Sequence, residues 1–465
     1  MPAVDALPFR LVLGFAVMAG ISVGFGPGAT TVALSIVICC AMAVNFPFGI
    51  FAAIGIKPAV DCLWAIPVID ATGLRLNAQS IVGMVIPAAA FALASRRLKA
   101  WRVSAVERTA LYFAAATLLG VLLSATKGAA VNDAAKILIP ISLIAAGRLL
   151  IQQGVTIHQI SVVLASYGIV PLVSGLFELT GIIGHPEGAE PTPGGVYRIS
   201  GYYHHPLDIV IRCAVALPFA LSLVSLGRSK FVRVGMAMWS MAMVVISFAT
   251  LVRSALGIIS LELVGWAWLR GRRWIAAFVL GVAAATMLVA APIQRVIQDA
   301  VRPLQEGAVY ELGTGRALLY AAQVSAFASA TPLEKLFGRG LHSTQAAIVE
   351  YSPIRVEALE ERYEGGGGVG SHNQYLRILG ENGITGLLAF LVLMGSVCLL
   401  AVRLMKRGHG GTSTFGAAVL TAILTVLAFG MALTPFDSPG FTWPLWLAVG
   451  CALELDTELP ARTDS

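Results

Sequence analysis

Charged residues are scarce in this chain. Only 12% of its 465 residues are Asp, Glu, Lys or Arg, 57% are hydrophobic, and the mean hydropathy is +0.82. A soluble protein of average composition has about 25% charged residues. A chain with so few cannot cover itself with polar side chains in water, so its main solvent must be the hydrocarbon of a lipid bilayer.

Several signatures of soluble enzymes are missing as well. There is no P-loop, no Gly-x-Gly-x-x-Gly following a strand, no Gly-x-Ser-x-Gly and no internal repeat. The six cysteines lie in or beside apolar runs without a Cys-x-x-Cys pair, and no spacing of histidine with cysteine or carboxylate is typical of zinc. We therefore expect no disulfide framework, no metal and no cofactor.

Long apolar runs, by contrast, recur from one end of the chain to the other. Because a spanning helix requires about 17 to 25 mostly uncharged residues and lipid accepts only helices or closed barrels, they predict an all-α polytopic membrane protein without strands. About 12–14 transmembrane helices are expected at this length. The third run contains Lys57, Pro58 and Asp61, and the tenth is short and contains Glu262. The runs are 8–24, 29–45, 48–68, 79–95, 108–125, 135–151, 158–178, 207–227, 234–252, 255–269, 274–291, 384–402, 413–432 and 440–455.

Basic residues predict the orientation of these spans. Four clusters of Lys and Arg, at 96–108, 228–233, 270–273 and 403–407, fall on the same side of the predicted bundle. The positive-inside rule assigns that side to the cytoplasm, and both termini then lie inside. The first run continues into the second without the pattern of a cleaved signal peptide. The net charge of +7 is then a topology signal, so nucleic acid is not an expected partner.

The spans and loops predict six segments. They are N-terminal transmembrane helices (1–178), an outer loop (179–206), further transmembrane helices (207–291), a large outer loop (292–383), C-terminal transmembrane helices (384–455) and a cytoplasmic tail (456–465). The large loop contains two amphipathic stretches, at 315–329 and 351–364. Each is predicted to form a short helix that either lies on the membrane surface or contributes to the small core of a folded cap.

Four arginines lie on the outer side, against the positive-inside trend: Arg198, Arg253, Arg316 and Arg339. Guanidinium groups bind phosphate in a planar, bidentate way and keep their charge at any working pH. Several of them converging at a membrane surface would suit a lipid-linked pyrophosphate, an anionic headgroup or an anionic polymer. Alternatively, each extends to lipid phosphates without a specific role, although Arg253 lies in a tight turn that offers little open water.

The segment GGGGVGSHNQYLRILGENG interrupts the apolar pattern before the twelfth run. Ser371 and Gln374 are spaced as a capping box. That box would place His372 in the first turn of a helix, whose positive end favours a neutral imidazole. The glycines allow a large substrate to approach closely, and Gly380 and Gly383 are expected to stop or bend the helix. His372 is therefore a candidate general base; the alternative is a residue that only caps or packs at a loop-to-helix junction.

Other polar side chains are weaker candidates. His204 and His205 stand at the start of a predicted span near Arg198, where they either line the same cavity or mark an interface. Asp208 and Arg212 are spaced as an i,i+4 ion pair and are expected to neutralise each other.

Four segments resemble the family of O-antigen ligases and Wzy-type polysaccharide polymerases. SHNQYLRILGENGITGLLAFL is similar to the signature in which a His-Asn pair opens a short helix, a Glu-x-Gly follows and a transmembrane helix begins. GRALLYAAQVSAFASATPLEKLFGRG resembles the loop segment ahead of that signature. LVRSALGI is similar to an arginine-bearing turn, and YRISGYYHHPLDI to an earlier Arg-x-x-Gly loop. The resemblance extends over about residues 195–405.

The resemblance implies a metal-independent, inverting glycosyltransferase of the bacterial inner membrane, with its active site and its two large loops facing the periplasm. The donor would be a glycan on undecaprenyl pyrophosphate, and the acceptor a glycan or lipid A-core. A chain-length regulator is a candidate partner. Arg198, Arg253 and Arg316 match arginines that bind the pyrophosphate, and His372 matches the histidine that activates the acceptor hydroxyl.

Three more residues are carried over as candidates for substrate binding. They are Asn373 beside the histidine, His205 at the end of the earlier loop, and Arg339, in a Gly-x-Gly turn whose side chain the family pattern does not fix. The doubled histidine before Pro206 departs from the more usual Pro-Asn. The specificity for glycan and acceptor is therefore not carried over.

Two classes of function compete: a glycan transferase and a transporter or flippase for lipid-linked glycans. Transporters usually contain internal repeats and discontinuous helices at the membrane midplane. This chain shows no repeat, and its conspicuous polar residues lie outside the midplane, so the sequence favours the transferase. Polymerase and ligase share the same site residues and the sequence does not separate them, although the long glycine-rich loop suits the bulky glycan acceptor of a polymerase.

Overall fold

The structure is a computed structural model that describes residues 30–62, 67–71, 74–99, 101–184, 198–203, 205–227, 229–271, 316–352, 371–437 and 439–459. Four sequence predictions lie outside these residues, wholly or in large part. They concern the runs 8–24 and 274–291, the second amphipathic stretch (351–364) and the end of the tail (460–465).

Helices make up nearly all of the described chain. In order they are α1 (Thr30–Val44), α2 (Phe46–Asp61), α3 (Ala78–Arg97), α4 (Ala105–Leu123), α5 (Lys127–Ile141), α6 (Leu143–Gln152), α7 (Ile157–Ser166), α8 (Ile169–Leu179), α9 (Pro206–Leu226), α10 (Lys230–Ala249), α11 (Arg253–Arg270), α12 (Arg316–Ser329), α13 (Pro332–Phe337), α14 (Thr344–Tyr351), α15 (Gln374–Arg407), α16 (Gly411–Gly430) and α17 (Pro439–Glu458). A 3-10 turn (Pro435–Asp437) precedes α17.

A short antiparallel hairpin lies between α2 and α3. Its strands are β1 (Pro67–Ala71) and β2 (Leu74–Asn77), with Ile69 opposite Leu76. The sequence did not predict strands, because long apolar runs in lipid must be helical. That constraint does not apply to these two strands, because they lie in a connection between helices and pair with each other.

Eight helical segments of the described chain are long and apolar enough to cross a membrane, which confirms the predicted all-α polytopic membrane fold. Four other predicted spans are also helical. Of these, α1 and α2 are shorter, α11 contains Arg253, Glu262 and Arg270, and α17 ends in acidic residues. The eight segments are Gln79–Arg97, Ala105–Leu123, Lys127–Gln152, Ile157–Leu179, Pro206–Leu226, Lys230–Ala249, Gln374–Arg407 and Gly411–Gly430.

Three of these segments contain a break in the helix. α5 passes into α6 at Ser142, two residues after Pro140, which has no N–H to donate within the helix. α7 passes into α8 at Gly168. α15 is interrupted at Gly383, where φ is 68° and ψ is −170°, as expected from the glycines of that segment.

Helix α9 lies at the centre of the bundle. Nearly every residue from Leu207 to Leu223 is buried, and the helix packs against α7, α10, α16 and α17. α6 and α17 approach each other through Gly147 and Gly450, where a Cβ would overlap the main chain of the facing helix. Small residues allow such an approach in lipid, where helices associate by close packing instead of by expulsion of water.

The described residues of three basic clusters, 96–108, 270–273 and 403–407, lie at one end of the bundle, here called the basic end. Polar contacts connect the helix ends there: Lys99 N–H to Gln152 (3.1 Å), Gln152 to Glu454 (2.7 Å), Arg403 to Asp456 (3.2 Å), Ser413 to Met405 O (3.0 Å) and Arg270 to Thr414 (2.9 Å).

The start of α15 and the end of α16 lie at the opposite end, here called the site end. The Tyr375 hydroxyl donates to the Leu427 carbonyl at 2.7 Å there, so α15 and α16 are antiparallel. The assignment of the basic end to the cytoplasm stays a prediction of the positive-inside rule.

Candidate active site

Residues 371–373 form the turn that leads into α15. Asn373 caps the helix, because its Oδ1 accepts two backbone N–H groups of the first turn, at 3.0 and 2.9 Å. The predicted capping box of Ser371 and Gln374 is therefore wrong, and His372 precedes the helix instead of lying in its first turn. The Asn373 amide also donates to the Met431 carbonyl at 3.2 Å. Both ends of this side chain are thus engaged, and its role in substrate binding stays a prediction.

The two side chains of the expected capping box have partners far away in the chain. The Ser371 hydroxyl donates to Gln323 Oε1 at 2.6 Å, and Gln374 Oε1 accepts the N–H of Phe436 at 3.2 Å. Sequence spacing cannot reveal such partners, since α12 and the turn before α17 reach this junction only through the tertiary fold.

His372 has an unusual backbone and a shifted pKa. Its φ is +48°, in the left-handed region that residues other than glycine rarely adopt. Burial, then the charge of Arg316 and then that of His205 lower the pKa of this half-buried imidazole from 6.5 to about 4. The ring is therefore neutral at neutral pH, which is the form expected from the sequence. The causes are burial and nearby cations in place of the helix dipole.

Helix α12 presents a polar face to the turn. Arg316, Tyr320 and Gln323 are spaced i, i+4 and i+7, so they lie along one side of the helix. The Tyr320 hydroxyl lies 2.9 Å from the carbonyl oxygen of His372, and Gln323 Nε2 donates to the carbonyl of Ser371 at 3.1 Å. The same helix thus carries a guanidinium that acts on the imidazole and two side chains that bind its main chain.

The other face of α12 packs in a small core. Leu318, Leu319 and Ala322 form a buried cluster with Ile348 of α14. Of the two roles considered for the first amphipathic stretch, the structure therefore supports a contribution to a folded cap.

His205 lies at the end of the loop that leads into α9. It caps α9 through Nδ1, which accepts the backbone N–H two residues later at 3.1 Å. The loop is fixed by Glu178 of α8, whose Oε2 accepts the N–H groups of Ser200 (2.8 Å) and Gly201 (2.6 Å). The structure brings His205 within electrostatic reach of His372. Arg198 lies two residues before the first of these anchored amides, and its role stays a prediction.

Arg253 is the first residue of α11. It follows a tight turn in which Leu251 is buried and has a φ of +53°. α11 packs against α16, and Arg270 at its other end donates to Thr414 near the start of α16. The two helices are therefore antiparallel, and the start of α11 lies toward the site end. Binding of a substrate by Arg253 stays a prediction.

Arg339 is engaged within the cap. Its Nη2 lies 3.2 Å from the carbonyl of Ala326 and 3.2 Å from the hydroxyl of Tyr351, and Glu334 and Glu350 lie 3.9 and 3.6 Å from its other nitrogens. These contacts connect α12, α13 and α14. They do not support the predicted role of Arg339 in substrate binding.

Segments 336–341 and 380–383 both lie in stretches that resemble the family. They pack against each other through their main chains. Backbone hydrogen bonds of 2.9 and 3.1 Å join them. Gly338 and Gly383 have φ values of 84° and 68°, and a Cβ at either position would overlap main-chain atoms of the other segment. Glycine in the Gly-x-Gly and in the Glu-x-Gly is thus required by close approach as well as by backbone conformation.

A charged cluster that sequence reasoning missed fixes the start of α15 against α5. Arg377 donates to Asp133 Oδ2 at 2.9 Å and to Glu381 Oε2 at 3.0 Å. His342 Nδ1 lies 3.1 Å from the same Asp133 oxygen. The sequence signal that could have revealed this cluster is Asp133, a carboxylate beside the apolar run 135–151, because charged residues in or near a membrane are energetically costly. Its partner lies 244 positions away, beyond the reach of spacing rules.

Comparison with known proteins bears on this geometry. The family model of the O-antigen ligases, Wzy_C, matches residues 236–391. No curated protein matches the chain. Arg198 and His205 precede the matched region, and five candidate site residues lie within it: Arg253, Arg316, Arg339, His372 and Asn373. The predicted resemblance is confirmed over residues 236–391 of this multi-pass membrane protein, which match the O-antigen ligase family.

Proposed function

We propose that this protein transfers a glycan from undecaprenyl pyrophosphate to an acceptor hydroxyl, at a site that faces the periplasm of the inner membrane. The position of the basic clusters supports the orientation, because the positive-inside rule leaves the site end outside. The acceptor is a growing glycan in a polymerase or lipid A-core in a ligase.

The observation that carries the proposed chemistry is that α12, which begins at Arg316, binds the main chain of the turn that contains His372 through two side chains, at 2.9 and 3.1 Å. Burial and the charge of Arg316 lower the pKa of this half-buried imidazole, so it is neutral at neutral pH. A neutral imidazole can accept a proton from the acceptor hydroxyl. A guanidinium can stabilise the charge that develops on a phosphate leaving group. These two functions are the ones that a glycosyl transfer from a pyrophosphate requires.

In the proposed reaction, the acceptor oxygen attacks the anomeric carbon while the bond from that carbon to the pyrophosphate oxygen breaks. The hydroxyl proton passes to His372, and the lipid pyrophosphate leaves with the bonding electron pair. This single displacement inverts the anomeric configuration and involves no metal. Arg316, with Arg198 and Arg253 as further candidates, binds the pyrophosphate through its planar fork of donors.

The experiment replaces His372 with Asn, because Asn tolerates a left-handed backbone but is not a base. We expect His372→Asn to lower the rate about 10²- to 10⁴-fold while the protein remains in the membrane. His342→Asn is the matched control, since His342 also has a left-handed φ (+67°) at the site end. Product formation is compared in a deletion strain that carries each variant. Normal product from His372→Asn would exclude His372 as the base.

The glycolipids of the deletion strain separate the remaining functions. Loss of a transferase leaves lipid-linked glycan in the outer leaflet, where reagents added outside can modify it. Loss of a flippase leaves it in the inner leaflet, protected from them. Among transferases, single repeat units in place of long chains indicate a polymerase. Finished chains that remain on the lipid carrier indicate a ligase.

A further inference from the structure

We propose that Tyr320 and Gln323 of α12 are positioning residues, which bind the main chain of the turn 371–372 and thereby fix the direction of the His372 imidazole. This inference rests on the proposed role of His372 as the base. It concerns two side chains that are distant from the family signature in sequence and adjacent to it in the fold.

The turn requires external support because its backbone is strained. A histidine at φ +48° persists only where surrounding contacts determine its conformation. Asn373 fixes the residue that follows, by capping α15. The carbonyl groups of Ser371 and His372 are both bound by side chains of α12.

The contacts from α12 are direct. The Tyr320 hydroxyl lies 2.9 Å from the carbonyl oxygens of both His372 and Met431, so its proton is donated to one of them at a time. Burial raises the pKa of Tyr320, which keeps the hydroxyl protonated and able to donate. Gln323 is 7% exposed and forms two hydrogen bonds with Ser371. Its Nε2 donates to the Ser371 carbonyl at 3.1 Å, and its Oε1 accepts from the Ser371 hydroxyl at 2.6 Å.

The same helix face carries Arg316, one turn before Tyr320. A single rigid element therefore determines the spacing between the guanidinium proposed to bind the donor and the base proposed to activate the acceptor. Misplacement of a reacting group by about 1 Å can reduce a rate by about a hundredfold. Loss of the hydroxyl that connects α12 to His372 should accordingly impair turnover more than it impairs folding.

The test compares Tyr320→Phe with Tyr375→Phe. Both variants lose one hydroxyl that donates to a main-chain carbonyl of the same region, since the Tyr375 hydroxyl binds the Leu427 carbonyl at 2.7 Å. Of these two hydroxyls, only that of Tyr320 is hydrogen-bonded to His372. The purified full-length variants are compared in proteoliposomes, with the lipid-linked glycan that a deletion strain accumulates as the donor. We expect the initial rate to fall about tenfold for Tyr320→Phe and to stay near that of the unchanged protein for Tyr375→Phe.

A second readout follows the imidazole itself. The groups described as acting on it are Arg316 from α12 and His205 from the loop before α9. If the turn loosens, His372 becomes more hydrated and its pKa rises toward 6.5. Histidine NMR titration should therefore give a higher His372 pKa in Tyr320→Phe, and an unchanged one in Tyr375→Phe. This measurement does not depend on activity, and the His372 signal is identified by its absence from His372→Asn.

The possible outcomes are distinct. Equal rates and equal His372 titrations for the two Phe variants, together with an inactive His372→Asn, would overturn the positioning role and leave the base assignment intact. An active His372→Asn would overturn the proposed function, whereas the titration would still report whether Tyr320 fixes the turn. If Tyr320→Phe is not recovered from membranes, Gln323→Met carries the same test, with the same expected loss of rate and rise in pKa.

Discussion

Three residues other than glycine have a left-handed backbone in the described chain: Leu251, His342 and His372. Each lies in or beside a segment with a candidate site residue. Leu251 stands two positions before Arg253, His342 follows the segment 336–341, and His372 is the proposed base. Backbone strain persists where surrounding structure enforces it, and it concentrates at functional sites. Its occurrence in these segments supports a shared site at this end of the bundle.

The environment of His372 predicts its pH dependence. Because the folded pKa of about 4 lies below the ordinary value of 6.5, the unfolded chain takes up the proton first as the pH falls. This ionisation therefore reduces stability as the pH falls from 6.5 toward 4, and it has no effect above that window. Activity that depends on the neutral ring should stay constant down to about pH 5.

The charge of Arg316 contributes to that low value, so its removal should raise the pKa of His372. We expect the acid limb of kcat/KM to move to higher pH in Arg316→Gln. Arg339→Gln is the control, because the guanidinium of Arg339 lies among Glu334, Glu350 and Tyr351 instead. Acid limbs at the same pH in both variants would contradict the electrostatic link between Arg316 and the ring.

At the scale of elements, α15 joins the site to the membrane bundle. Its first turns bear the capped turn and the charged contact to α5, and its later turns cross the membrane. The break at Gly383 separates the two parts. The main chain of segment 336–341 packs at this break, so the cap attaches where the helix changes direction.

This packing predicts a contrast between two glycines of α15. Gly383→Ala adds a Cβ that overlaps the Leu336 carbonyl and forces alanine into a left-handed φ, so we expect a loss of at least about 2 kcal/mol of stability. Gly380→Ala meets no atom within 4 Å and replaces a helical glycine, so it should be neutral or stabilising by up to about 1 kcal/mol. Thermal unfolding in detergent measures both. Similar melting temperatures for the two variants would contradict the close approach.

Most of the helices were predictable from the sequence, because membrane-spanning helices are recognised by the length and apolar composition of their runs. The break at Gly383 was also predictable from its glycines. The cap of α15 was not, since Ser371 and Asn373 are equally good capping residues. Only the fold shows that Gln323, 48 positions earlier, takes the Ser371 hydroxyl and leaves the cap to Asn373. Residues that bind the start of α15 from distant elements, such as Asp133, leave no pattern in the sequence near the residues that they bind.

At the scale of the whole molecule, a buried chain of ion pairs connects α2 to α9. Arg212 lies 2.8 Å from Asp61 and 3.1 Å from Asp208, and Lys57 contacts Asp61. The predicted pair of Asp208 and Arg212 is confirmed. Lys57 and Asp61, which interrupted the third apolar run, neutralise each other and therefore fit inside a bundle. The contact of Asp61 with Arg212 fixes the C-terminal end of α2 against the start of α9.

These ion pairs predict unequal effects of two neutral substitutions. Asp61→Asn leaves buried cations with too little counter-charge, so we expect a loss of about 3 kcal/mol or more in stability. Asp208→Asn removes a carboxylate whose side chain is 33% exposed, so it should cost about 1 kcal/mol or less. Both are measured by thermal unfolding in the same detergent. A larger decrease in melting temperature for Asp208→Asn than for Asp61→Asn would show that the pair of Arg212 and Asp61 is not the more stabilising one.

The length of α15 determines how far from the lipid the proposed reaction occurs. Its 34 residues correspond to about 50 Å, against a hydrocarbon core of about 30 Å. The part after Gly383 is long enough to cross that core, and the part before it adds about 15 Å at most. His372 at its tip is thus within about 20 Å of the acyl chains, close to the layer of lipid headgroups. In the proposed reaction, the polyprenyl carrier would therefore present its sugar to the imidazole while its tail remains dissolved in the leaflet.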